Sequence, residues 1–194
     1  MSEQPQQFSP NLSHAAWENA FTPAELDRIE AFGDALTLGK ATLVGDMEGA
    51  SYDHVRITRT AWIDPGPDTK WIYDRMQMVL RIMNDRIWQF DIRGFSESFQ
   101  YTVYHGAEGG HYDWHVDQGD MTNARKLSAS LQLTDPSAYD DCDLQVHGVN
   151  KVETAPRERG TLIVFPSYVL HRVTPITRGT RKSVVVWTTG PNFR

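Results

Sequence analysis

The alternation of apolar and polar positions changes character partway along the chain. In the first part the repeat is helical. Thr22-Pro23-Ala24-Glu25 has the form of a capping box with proline at the first helical position. Leu26, Ile29, Phe32 and Leu36 then follow at helical spacing, which predicts a helix to about residue 36. Residues 54–62 alternate and are β-rich, so they read as one strand. Pro65-Gly66-Pro67 breaks the chain, Asp68 is a plausible N-cap, and Ile72, Met76, Val79, Met83 and Ile87 mark a second helix to about residue 88. Beyond residue 90 the period falls to two. Short β-rich runs cover 98–104, 112–116, 126–133, 144–146, 151–154, 161–165, 171–174 and 182–188, separated by turn residues such as those at 106–110, 134–136 and 177–179. A succession of short strands without intervening helices predicts a sandwich, barrel or jelly roll, with the two helices on an outer face.

Composition narrows this only slightly. The chain has 194 residues, which suits one domain with a sizeable core. We read 1–12 as a disordered lead-in and 13–194 as one domain, with 13–90 supporting a β core at 91–194. The formal net charge of −6 argues against a general nucleic-acid binder. A single cysteine, Cys142, permits no internal disulfide, and neither a signal peptide nor a membrane span is legible, so the expected setting is the cytoplasm.

The chemistry concentrates in His115-Val116-Asp117, His171 and Arg181. Residues i and i+2 of a strand share a face, so His115 and Asp117 can reach one ion. Two imidazoles and one carboxylate hold one face of an octahedral metal and leave the other open, which suits non-haem Fe(II). An isolated His-x-Asp is weak, since a hydrogen-bonded pair on a β-ribbon looks the same, and a lone histidine in a strand is usually a satisfied core residue. The combination with Arg181 shifts the balance. A hairpin through Gly179 would set Arg181 on a strand antiparallel to that of His171, deep among Val184, Val185, Val186 and Trp187. A buried guanidinium there requires an anion, either an internal carboxylate or a dicarboxylate co-substrate.

Taken together, Tyr104, Tyr112, His115, Asp117, His171, Val173, Arg181 and Trp187, with the phrase HRVTPITRGTRKSVVVWTTGP, resemble the 2-oxoglutarate- and Fe(II)-dependent oxygenases of the prolyl 4-hydroxylase-like branch. That resemblance spans roughly residues 98–191. It implies a mainly β fold with flanking α-helices, a double-stranded β-helix of the cupin-like jelly-roll kind. It also implies His115, Asp117 and His171 as iron ligands and Arg181 on the distal carboxylate of 2-oxoglutarate. Tyr104 would line the co-substrate pocket, with Ser130 or Gln132 as a further hydrogen-bonding residue. Tyr112, Trp187, His105 and Arg59 are substrate-side candidates, and the catalysis would be iron-centred with no separate acid or base. The implied reaction couples O₂ and decarboxylation of 2-oxoglutarate to succinate with hydroxylation of a prolyl or other amino-acid side chain, with ascorbate as an accessory reductant. The presence of Asp117 favours hydroxylation over halogenation. The expected partner is an amino-acid, peptide or small-molecule substrate. Two alternatives stand beside this: an oxygenase of a small metabolite or natural-product intermediate, and a cupin-like metal-binding protein without oxygenase turnover. Where many relatives carry Gly-Gly before a leucine, this chain has Asp141-Cys142-Asp143-Leu144.

Overall fold

The computed structural model describes residues 13–41, 52–118 and 124–192, so the lead-in expected at 1–12 lies outside the described residues. In chain order the elements are β1 (Ala15–Trp17), α1 (Pro23–Asp34), β2 (Gly39–Lys40), β3 (Arg56–Ile57), β4 (Arg59–Ile63) and α2 (Lys70–Arg86). There follow β5 (Phe99–His105), β6 (His111–His115), β7 (Arg125–Gln132), β8 (Tyr139–Asp141), β9 (Leu144–His147) and β10 (Val152–Thr154). The last three are β11 (Leu162–Pro166), β12 (His171–Val173) and β13 (Ile176–Thr189). An 8-stranded sheet runs β1-β11-β7-β13-β5-β4-β2 with β8 added to β13, and a 5-stranded sheet runs β10-β9-β12-β6-β3. This is the expected jelly roll with two helices outside it.

Helix α1 begins as its sequence predicts. The Thr22 hydroxyl accepts from the Glu25 amide at 3.3 Å while the Thr22 amide donates to the Glu25 carboxylate at 2.8 Å, so two otherwise orphaned donors are satisfied. Helix α2 departs from expectation at its start. Thr69, not Asp68, is the capping residue, and it makes no side-chain cap. Its hydroxyl instead donates back to the Asp64 carbonyl at 2.6 Å, tying the helix to the preceding turn.

The period of two in β5, β7 and β13 separates two environments. Phe99, Tyr101 and Val103, with Leu127, Ala129, Leu131, Val184 and Val186, pack with Leu26, Ile29, Ile72, Met76 and Met83 of the helices in one buried core. The intervening residues, among them Gln100, Thr102, Tyr104, Ser130, Arg181 and Ser183, face an internal cavity. The same strands therefore anchor the helices on one side and present polar groups on the other.

Close packing under α1 is set by Gly33. A Cβ placed there would collide with the ring of Tyr101, which is fully buried and donates its hydroxyl to Asp34 at 2.7 Å. Because the ring is held at both ends it cannot yield. Gly33→Ala is expected to cost about 1–3 kcal/mol of stability, as overpacking does, measurable as a lowered denaturant midpoint with unchanged slope. An unchanged midpoint would mean that the helix can lift from the sheet at no cost.

Two topological expectations are corrected. The predicted strand at 54–62 is two strands in two sheets: Arg56 pairs with Tyr112 of β6, whereas Arg59 pairs with Val103 of β5. Alternation cannot reveal this, because both sheets demand the same inward and outward pattern. The hairpin through Gly179 is also absent. Gly179 lies inside β13 at φ +77°, where an added Cβ would meet the Ala138 carbonyl oxygen. The chain instead leaves the smaller sheet after Val173 and joins the larger one, passing through Pro175, which has no N–H for a ladder. His171 and Arg181 thus reach the cavity from opposite sheets.

Candidate metal centre and cavity

His115 ends β6 and stands opposite His171 of β12 in the antiparallel register. Asp117 lies just beyond the strand, with its amide donating to the Ser167 carbonyl at 2.9 Å. The ligand-capable atoms of these three residues all lie within 4.8 Å of one another. His115 Nε2 is 3.7 Å from one Asp117 carboxylate oxygen, and His171 Nε2 is 3.5 Å from the other. The backbone fixes both rings. His115 Nδ1 donates to the Asp113 carbonyl at 2.7 Å and His171 Nδ1 to the Val169 carbonyl at 2.9 Å. With both Nδ1 atoms used as donors, the Nε2 lone pairs point together at Asp117. Tyr112 stacks on the His115 ring at 3.4 Å between centroids, and Phe165 braces His171 at 4.5 Å.

Electrostatics leave this cluster ready for a cation. Burial, reinforced by the neighbouring His171, lowers His115 to about 4 against the pull of Asp117. Burial would raise the Asp117 carboxyl, but the two imidazoles outweigh it and hold it below the usual carboxylate range. At neutral pH His115 is therefore unprotonated and Asp117 ionised, the states in which they ligate metal.

The triad sits on the wall of a cavity of about 380 Å³, within the range of small-ligand sites. Arg181 opens onto the same cavity and is only 2% exposed. Its Nε and Nη2 donate to the Gln132 side-chain oxygen at 3.2 and 2.9 Å, while among the described residues the buried Nη1 reaches no oxygen or nitrogen acceptor. A neutral amide oxygen cannot balance a buried guanidinium, so the site is short of one anion. Tyr104 lies with its ring 5.5 Å from that guanidinium, and burial, against the pull of Arg56 and Arg181, raises its phenol to about 12, keeping it a protonated donor. One hard carboxylate with two imidazoles, plus a buried cation awaiting a carboxylate, fits Fe(II) with a dicarboxylate bound beside it.

The other expected residues divide. Ser130, Tyr112 and Trp187 line the cavity, whereas Gln132 holds Arg181. His105 and Arg59 are corrections, because neither is on the cavity wall. His105 Nδ1 lies 3.2 Å from the Thr180 hydroxyl beyond the end of the inward-facing row. Arg59 points out of β4 to an ion pair with Glu108 on the surface. Their neighbours Arg56 and Trp62 take the wall positions instead. Glu97 and Arg125 were not anticipated: Arg125 is clamped by Glu97, donates to the Asp117 carbonyl at 3.3 Å, and lies 4.0 Å over Trp187. No sequence pattern marks that pair. Gln100 and Thr102, by contrast, were detectable as polar residues at every second position of an apolar strand.

Asp141 and Cys142, just ahead of Leu144, both adopt left-handed backbone, at φ +59° and +58°. The turn thus keeps a conformation suited to glycine while carrying side chains, and Cys142 is fully buried. Among the described residues no helix is long and apolar enough to cross a membrane.

Comparison with known proteins agrees with this geometry. Residues 99–189 match the profile of the 2OG-Fe(II) oxygenase superfamily. A PKHD-type hydroxylase of Teredinibacter turnerae is 38% identical over 85 residues, covering 41% of this chain and 38% of that protein. One of Acidovorax ebreus is 40% identical over 88 residues, covering 42% and 39%. These matches therefore take in well under half the length of the curated relatives. In fold, a Pseudomonas putida prolyl-4-hydroxylase superimposes with a TM-score of 0.74 at 21% identity over 93% of this chain and 94% of that one. A Trichoplax adhaerens prolyl hydroxylase, in complex with a hypoxia inducible factor oxygen degradation domain peptide fragment, gives 0.73 at 17% identity over 91% and 83%. Residues 99–189 thus match the 2OG-Fe(II) oxygenase superfamily, and the chain shares its fold with these prolyl hydroxylases.

Proposed function

We propose that this protein is an Fe(II)- and 2-oxoglutarate-dependent dioxygenase that hydroxylates an unactivated C–H bond of a prolyl or other amino-acid side chain. The observation that carries this reading is the buried Arg181, whose Nη1 reaches no oxygen or nitrogen acceptor among the described residues, in the same cavity as the His115–Asp117–His171 cluster. A metal-binding jelly roll without oxygenase turnover leaves that buried cation without a purpose.

When bound, Fe(II) with 2-oxoglutarate and O₂ supplies the oxidising chemistry, by which CO₂ and succinate are released and one oxygen atom passes to the substrate carbon. His115, Asp117 and His171 would hold the ion. Arg181, steadied by Gln132, binds the distal carboxylate of the co-substrate, and Tyr104 and Ser130 offer hydroxyls along its length. Tyr112 and Trp187 flank the opening toward substrate. The burial of Asp117, His171 and Arg181 keeps water from these groups and strengthens each charged contact. Because Arg56 and Trp62 line the same cavity as the ligands, we take 13–194 as one functional unit. The peptide-bound Trichoplax structure supports an amino-acid or peptide substrate.

The test is anaerobic addition of Fe(II) and then 2-oxoglutarate to purified protein. The expected result is the weak visible charge-transfer band of the chelated co-substrate, followed in air by succinate formation. Metal binding without the band would support the non-oxygenase alternative.

A further inference from the structure

Three guanidinium groups reach the cavity wall, and their charges are balanced differently. Arg125 is neutralised by the Glu97 carboxylate. Arg181 faces the position proposed for the co-substrate. Arg56 has no such role and no anion. It is only 9% exposed, its Nε donates to the Thr58 hydroxyl at 2.9 Å, and its Nη2 donates to the Gln100 side-chain oxygen at 3.1 Å. Its guanidinium carbon lies 4.4 Å from the Tyr112 ring centroid. Among the described residues, every hydrogen-bond acceptor of Arg56 is neutral. A buried cation held only by neutral acceptors is costly unless a ligand brings the negative charge.

Arg56 and Arg181 are held by different side chains, Gln100 and Gln132, at different levels of the larger sheet. Gln100, the acceptor of Arg56, stands in register with Val185 of β13. Val185 is on the same inward-facing row as Arg181 and about 13 Å further along the strand at 3.3 Å per residue. Tyr112, Trp62 and Trp187 line the same cavity, with Trp62 46% exposed and its ring centroid 6.4 Å from that of Trp187. A carboxylate on Arg56 would leave the rest of a small molecule against aromatic walls beside the triad.

Resting on the proposed hydroxylase reading, we propose that Arg56 is the specificity-determining residue for an amino-acid substrate with a free α-carboxylate. The carboxylate accepts from the unused N–H groups of Arg56, and the side chain to be hydroxylated extends toward His115 and Asp117. The same carboxylate chemistry is offered by a free amino acid and by the C-terminal residue of a peptide.

The test uses the full chain with Fe(II) and 2-oxoglutarate under anaerobic conditions, following binding by tryptophan fluorescence. The probes are the free amino acids, their carboxamides, and the matching alanyl dipeptide acids and amides. At least one acid is expected to bind about tenfold or more tighter than its amide, the size of a charge-assisted hydrogen-bonded contact. Whether the free acids or the dipeptide acids show this identifies the source. Arg56→Met should reduce the preference to within about twofold while leaving 2-oxoglutarate affinity intact, and Arg56→Lys should restore part of it. Gln100→Glu guards against a folding defect: it is nearly isosteric, gives Arg56 an internal anion, and should abolish the preference while strengthening the bridge between the sheets. A purely structural Arg56 predicts no change in preference from Gln100→Glu. Equal binding of acids and amides, binding of no acid, or a preference that survives both Arg56→Met and Gln100→Glu would overturn the proposal. Fluorescence does not require the metal, so absence of the charge-transfer band would count against the parent reading while the acid–amide comparison stayed readable.

Discussion

Asp117→Ala is expected to remove Fe(II) binding and turnover together while leaving the fold in place. Asp117 is the one anionic group of the triad, and it lies within 3.7 Å of both imidazoles. Its loss takes away both a ligand and the charge that offsets a divalent cation. Loss of a mere outer-shell partner weakens metal sites by about 10–100-fold, so loss of this ligand should exceed that range. The fold should survive, because His115 remains pinned by the Asp113 carbonyl and Tyr112, and His171 by the Val169 carbonyl and Phe165. Metal titration followed by far-UV circular dichroism separates the two effects. Full activity in Asp117→Ala would remove the triad from the mechanism.

Arg181→Met is expected to act in opposite directions on the empty and the loaded protein. In the empty protein, among the described residues, the guanidinium meets only neutral partners, the Gln132 oxygen and the Cys142 thiol. Replacing such an uncompensated buried charge by an apolar side chain of similar length is neutral or stabilising. With 2-oxoglutarate present the order reverses, because truncating a buried charged contact costs about 3 kcal/mol, roughly 100-fold in affinity or more. Thermal unfolding with and without the co-substrate reads both effects. The wild type should gain stability on addition of 2-oxoglutarate, and the variant should start as high or higher and gain nothing. An equal gain in both would mean that Arg181 does not carry the carboxylate.

The parts of this site legible in the sequence were those set by local rules. The apolar run around Arg181 marked it as buried, the resemblance pointed to Tyr104, and the Thr22 capping box located the start of α1. What escaped depends on how strands are shared between sheets. Arg59 and Arg56 look alike in sequence, but the chain changes sheet at Thr58, so Arg56 turns inward and Arg59 out to Glu108. His105 was equally plausible beside a glycine-rich loop, yet it lies past the last inward position of β5. The Glu97–Arg125 pair joins residues from a loop and a distant strand, and such pairing leaves no periodic trace.

The passage of the chain through Thr58 also has a mechanical meaning. One short segment is stitched to both sheets, through Arg56 at the edge of the smaller and through Arg59 to Ile63 beside β5 of the larger. It acts as a strap across the seam, so moving the two sheets apart at this point means unzipping one of its two ladders. The aperture is therefore set by residues far in sequence from the metal ligands. Substitutions along this strap can alter which molecules enter while the oxidising machinery stays untouched.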